Sequence, residues 1–220
     1  MHRSSMENKM LTVYGCPNSR SLRAVWALEE AGADYDYVFV DLFKGAGRAP
    51  DFLAINPGGK VPALRLEDGS IVTETGAIAL WAAERFPASG LLPADASERA
   101  QAYRWLCFGL TELDQALWTI AKHRFALPEK RRVPAIEDTA RWEFEKAAAL
   151  LSARLEAWSW LAGAHFSIAD IIASHCLAWA KSAKLSLEGT TLPAYLERCL
   201  ARPAAQRALA REAAAKGKTQ

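Results

Sequence analysis

No uncharged stretch of this 220-residue chain approaches the roughly 20 residues that a membrane-spanning helix needs. Its N-terminus, MHRSSMENKM, lacks the apolar core of a signal peptide, and residues 1–9 read as a disordered extension before the first strand. Cysteine is scarce: Cys16, Cys107, Cys176 and Cys199 are widely scattered and form no CxxC pair, which gives no support to a disulfide scaffold. The four histidines never recur at ligand spacing, so no metal cofactor is expected, and the segment GAGRAP is no phosphate loop. A charge excess is missing too. With 27 basic against 25 acidic side chains the formal charge is +2, which argues against a nucleic-acid surface or a polybasic membrane anchor. The one basic concentration, Lys122, His123, Arg124, Lys130, Arg131 and Arg132, reads as a solvated helix end and loop. A reduced, cytoplasmic setting is expected.

What the sequence has is a change of rhythm half-way along. Between residues 10 and 86 short β-type runs alternate with helical periodicity. LTVYG (11–15) is a strand closed by Gly15 and Pro17. Arg20 to Ala31 carries an apolar stripe of Leu22, Val25, Trp26, Leu28 and Ala31, stopped by Gly32. YDYVFVDL (35–42) is a second strand, followed by a short amphipathic segment around Phe52 to Ile55. ALRL and SIVT flank the turn Glu67-Asp68-Gly69 as a hairpin, and Thr75 to Phe86 returns to helical period. The order βαβ-αββα predicts a small mixed sheet covered by helices, an α/β domain over residues 10–87. PASGLLPADAS (87–97) reads as a linker. Beyond it strand-like alternation disappears. Helical patterns at 97–124, 134–160, 167–181, 192–201 and 204–215 predict an all-α bundle over residues 96–215.

Four blocks, SRSLRAVWALEEAG (19–32), NPGGKVPAL (56–64), TETGAIALWAAERFP (73–87) and AGAHFSIADI (162–171), occur in order and at spacings that resemble the cytosolic glutathione transferase family, in its bacterial serine-type or omega-like forms. The resemblance covers nearly the whole chain from Met10 to about Ala205. It implies a thioredoxin-like first domain, a homodimer, and a detoxifying reaction between glutathione, as co-substrate, and a small electrophile.

A tripeptide with two carboxylates, an amine, two peptide bonds and a thiol needs a backbone clamp, an anion hole and a thiolate stabiliser. Val61-Pro62 precedes ALRL, where a proline is tolerated at a strand start; in the family this proline is cis, which would free the Val61 backbone for the tripeptide. Lys60 would add charge near the glycine carboxylate, with Lys44 a weaker candidate. Glu74-Thr75 opens a helix whose amides suit the γ-glutamyl carboxylate, with Thr75 doubling as an N-cap. The thiol-handling residue should lie between the first strand and the first helix. Ser19 would donate a hydrogen bond to a thiolate. Cys16 would instead form a mixed disulfide with glutathione, as in omega-like members. Tyr14 lies inside the strand and reads as core. Ser167-Ile168-Ala169-Asp170 matches a structural capping box. Tyr103, Phe108 and Trp118, with Trp179, are the aromatic candidates for an apolar second site.

Overall fold

β-Branched and aromatic residues dominate three of the four short strands in the first part of the chain. In the computed structural model, which describes residues 10–217, β1 (Leu11–Gly15), β2 (Tyr35–Phe39), β3 (Ala63–Arg65) and β4 (Ile71–Thr73) form one sheet in the order β2-β1-β3-β4. Helix α1 (Ser21–Ala31) carries the chain back so that β1 and β2 run parallel. The turn between Leu66 and Ser70, with Gly69 at φ 87, sets β3 and β4 antiparallel. With α2 (Pro50–Ile55) and α3 (Thr75–Arg85) the expected βαβ-αββα order is present, and the domain is thioredoxin-like. The extension at 1–9 lies outside the described residues.

Two local readings change. The second strand, expected to reach Leu42, stops at Phe39, because the Asp41 side chain accepts the N–H groups of Phe43 and Lys44, each at 3.1 Å, and starts a 3-10 turn. Helix α1 is buried over far more than one stripe, since α3 packs on one side and α9 (Pro203–Gly217) on another. Residues up to Ser89 together with those from Pro203 onward form one compact unit, and Gly90–Arg202 the other. The last helix, assigned from its periodicity to a helical domain ending at 215, therefore packs with the sheet. The cause is Glu29: its carboxylate takes Arg207 Nε at 2.8 Å and Arg211 Nε at 3.1 Å, and Arg211 lies over the Tyr35 ring.

The second unit is helical throughout. Asp95 accepts the N–H groups of Ser97 and Glu98, each at 2.9 Å, and starts α4 (Ala96–Phe108). The helix expected over 97–124 is interrupted by π turns at Gly109–Leu113 and Lys122–Ala126, with α5 (Asp114–Ala121) between them. At the first, a Cβ on Gly109 would stand 3.0 Å from Ile172 Cγ2, so a larger residue here would need the Ile172 side chain of α7 (Ile168–Ser182) to give way. At the second, Arg132 donates to the carbonyls of Leu127 and Phe125, and Arg124 pairs with Glu137 at the start of α6 (Ile136–Ala157). Part of the basic concentration thus closes a loop. Hydrogen bonds from Arg124 and Arg141 pull the Glu137 carboxyl down to about 2. The short helix α8 (Leu192–Leu200) completes the unit.

Candidate active site

Sheet register gathers the candidate segments. Tyr14 of β1 pairs with Ala63 of β3, and Ala63 with Thr73 of β4. One end of the sheet therefore carries, side by side, the turn after β1 (16–20), the entry to β3 (60–62) and the start of α3 (74–75). β2 ends there too: Val40 donates its N–H to the Gly15 carbonyl at 2.8 Å, and the turn with Lys44 follows. Two strand spacings from β1 to β4 cover about 10 Å, which is about the length of an extended tripeptide.

In the first segment, Ser19 Oγ donates to the Cys16 carbonyl at 2.6 Å and accepts the Ser21 N–H at 3.1 Å, while Ser21 Oγ lies 2.8 Å away and accepts the Cys16 N–H at 3.0 Å. Asn18, at φ 59, makes the tight bend between them. The formal cap position of α1 is Arg20, so Ser19 caps only through the Ser21 amide. That amide polarises the Ser19 hydroxyl and makes its proton a better donor. Ser19 is half-buried, whereas Cys16 is 2% exposed. Ser21, fully buried and bonded to both, escaped sequence reading; its only signal is the Ser-x-Ser spacing. Tyr14 is core, as expected, packed on Phe52 under Arg65.

In the second segment the Val61-Pro62 bond is cis. The β1–β3 ladder ends at Ala63, and neither the N–H nor the C=O of Val61 is taken by another described residue. Asn56, also missed, holds this loop: its amide donates to the Lys60 carbonyl at 2.7 Å and its oxygen accepts the Gly58 N–H at 3.0 Å. Lys60 itself is exposed. Gly59, at φ 62, packs on the turn at Gly47: a Cβ there would stand 2.5 Å from the Gly47 carbonyl oxygen. Gly59→Ala is expected to cost about 1–2 kcal/mol for the left-handed backbone alone, and to lower the scanning-calorimetry midpoint by roughly 2–8 °C. A variant as stable as the parent would show that the two loops have room to part. Lys44 sits on the same turn, largely exposed, its ammonium 3.9 Å from Asp41.

In the third segment Thr75 is the first residue of α3 and buried, while Glu74 takes the cap position without a side-chain cap bond. The expected capping role of the Thr75 hydroxyl is therefore corrected: a cap must precede the first helical residue. The N–H groups of Thr75, Gly76 and Ala77 have no partner among the described residues, and the helix ladder starts with Ile78 N–H to Glu74 C=O. Glu74, exposed, is held at φ 67, ψ 123, a conformation costing about 1–3 kcal/mol outside glycine. Nothing in its sequence context signals that geometry.

Tyr103, Phe108 and Trp118 belong to the helical unit. Tyr103 is exposed on α4, Phe108 meets Trp105 edge-on at 5.1 Å, and Trp118 is half-buried on α5; Trp179 is half-buried on α7. No helix among the described residues is long and apolar enough to cross a membrane.

A thioredoxin-like unit with a cis-proline, an open backbone beside it and a bare helix N-terminus, in one chain with an all-helical unit, defines the class of two-part proteins that hold a small peptide thiol. The family model for the glutathione S-transferase N-terminal domain matches residues 15–85, and that for the C-terminal domain residues 115–203. Glutathione S-transferase GstA of Escherichia coli O157:H7 is 35% identical, covering 89% of this chain and 96% of that protein. The disulfide-bond oxidoreductase YfcG of Escherichia coli K12 is 32% identical over 91% of this chain and 94% of its own. Among solved structures, a glutathione transferase of Methylococcus capsulatus superposes with a TM-score of 0.82 at 36% identity, covering 93% of this chain and 99% of that one. A sphingomonad glutathione S-transferase complexed with glutathione gives 0.80 at 34%, covering 92% and 98%. The chain belongs to the glutathione S-transferase family and is a glutathione transferase.

Proposed function

We propose that glutathione lies across the three segments, with its cysteinyl backbone on the N–H and C=O of Val61 beside Pro62, its γ-glutamyl carboxylate on the amides of Thr75 and Gly76, and its amine on Glu74. Lys60, with Lys44 beyond it, faces the glycine carboxylate. The sulfur then points to the turn after β1, where the Ser19 hydroxyl turns from the Cys16 carbonyl and donates to the thiolate. The thiolate attacks the electrophilic carbon of an apolar substrate, a carbon–sulfur bond forms, and the leaving group departs with its electron pair; with a peroxide the thiolate attacks oxygen, the O–O bond breaks to release an alcohol, and a second glutathione thiol converts the sulfenic acid to oxidised glutathione and water. Tyr103, Phe108 and Trp118 supply the apolar surface for that substrate. The protein acts in the cytoplasm as a homodimer, in detoxification, without a metal.

The observation that carries this reading is the register Tyr14–Ala63–Thr73, which aligns an open backbone clamp with a bare helix N-terminus. Titration calorimetry with glutathione tests it. Measurable heat that Glu74→Ala weakens by about tenfold is expected, as for losing one charge-assisted bond. No heat from well-folded protein rejects the reading.

A second reading is favoured by the likeness to YfcG and by the place of Cys16 at the same turn. The Cys16 thiolate would attack oxidised glutathione, form a mixed disulfide and release one glutathione thiolate. Mass spectrometry after oxidised-glutathione treatment would show the adduct on Cys16. An unmodified Cys16, with full turnover in Cys16→Ala, removes it.

A further inference from the structure

We propose that Glu212 of α9 and Tyr37 of β2 are positioning residues for the thiol-handling turn, so that the last helix of the chain sets the orientation of Ser19. This deepens the reading above and rests on it.

The Tyr37 ring lies against the backbone of Gly15: a Cβ there would stand 2.6 Å from the Tyr37 hydroxyl and 2.8 Å from its Cε2. Gly15 is the last residue of β1, directly before Cys16, whose carbonyl and N–H tie down Ser19 and Ser21. Any tilt of the Tyr37 ring is therefore transmitted to the turn within two covalent links. The ring is itself held from behind, because its hydroxyl donates to Glu212 Oε1 at 3.3 Å and Glu212 is 3% exposed. Glu212 is fixed in turn by the docking of α9, through Arg207 and Arg211 on Glu29 and Arg211 on the Tyr35 carbonyl. A buried carboxyl on a C-terminal helix has no packing advantage over leucine. A hydrogen bond that sets the angle of one ring gives it a reason to be there.

Around Glu212 stand Tyr37 and Tyr35 of β2, the Cys16 thiol beyond Tyr37, Arg211 beside it on α9, and Glu29, already occupied by the two arginines. Burial pushes the Glu212 carboxyl up to about 8, and the hydrogen bond it accepts from Tyr37 holds that rise back.

The test compares Tyr37→Phe, Glu212→Ala and Glu212→Gln in steady-state turnover with an aryl halide, alongside glutathione calorimetry. Tyr37→Phe and Glu212→Ala are expected to lower kcat about five- to tenfold, to change the glutathione Kd less than about twofold, and to show no further loss when combined. Glu212→Gln keeps the acceptor oxygen and recovers most of the loss. Tyr37→Phe within twofold of the parent, or a Glu212→Gln variant that recovers nothing of the Glu212→Ala loss, overturns the proposal even if Glu212→Ala does not fold. Glutathione heat and the Ser19→Ala result are read separately, so a failed brace and a failed site are told apart.

Discussion

Ser19→Ala is expected to lower kcat with a model aryl halide about a hundredfold while glutathione affinity changes less than about threefold. The magnitude follows from the thiol. A thiol near pKa 8.5 is mostly protonated at neutral pH, and holding it about two units lower takes roughly 2.7 kcal/mol of preferential stabilisation of the anion. One hydrogen bond to a charged acceptor supplies about 1.5–3 kcal/mol, so a single hydroxyl is enough. Ser19 is already polarised by the Ser21 N–H at 3.1 Å and can turn away from the Cys16 carbonyl because Ser21 Oγ lies 2.8 Å away as an alternative contact. In the proposed pose binding is spread over the Val61 backbone and the α3 amides, which the mutation does not touch. The rising limb of the kcat/KM profile should therefore move up by about two pH units in Ser19→Ala, since a group favouring the anion has been removed. Turnover and profile both unchanged would exclude Ser19 from the chemistry. If turnover were lost in Cys16→Ala instead, the disulfide-exchange reading would take its place.

Much of the candidate site's layout was legible because its parts are local. Val61-Pro62, the opening of α3 and the turn after β1 each carry a chemical signature within a few residues, and alternating patterning was enough to place them at strand ends. Their convergence was legible only through topology, since Tyr14, Ala63 and Thr73 align by register and not by sequence proximity. Illegible features depend on distant partners or on backbone geometry with no residue preference. The left-handed Glu74 falls at a position where glycine would have been the signal. The π turn at Gly109 lies where Ile172 of a distant helix comes close, and helical periodicity barely registers one extra residue. Helix α9 reads as one more amphipathic segment. Its attachment to α1 and β2 rests on Glu29 meeting Arg207 and Arg211, nearly the whole chain away.

The largest effect on stability should come from Asp170. Its carboxyl is wholly buried and accepts four hydrogen bonds: Leu161 N–H at 3.0 Å and Tyr195 O–H at 2.8 Å on Oδ1, Ser167 N–H at 2.9 Å and Ser167 O–H at 3.0 Å on Oδ2. Burial raises its pKa above the ordinary value, and the four donors hold that rise back. Through these bonds one side chain starts α7, fixes the loop at Leu161 and pins α8. Asp170→Ala leaves four buried donors without acceptors. At about 1–3 kcal/mol for each that finds no water, the loss should exceed roughly 4 kcal/mol, beyond the range of ordinary substitutions. Asp170→Asn should be nearly as harmful although it is isosteric. Each carboxylate oxygen receives one backbone N–H, and neither N–H can turn away, so the amide NH2 must face one of them whichever way it is placed. Tyr195→Phe removes a single donor and leaves three, so about 1 kcal/mol is expected. In urea, followed by far-UV circular dichroism, the midpoint should fall by roughly 1 M or more for both Asp170 variants. A midpoint for Asp170→Asn close to that of the parent would mean that the carboxyl is protonated in the folded protein and one of the four bonds is not made.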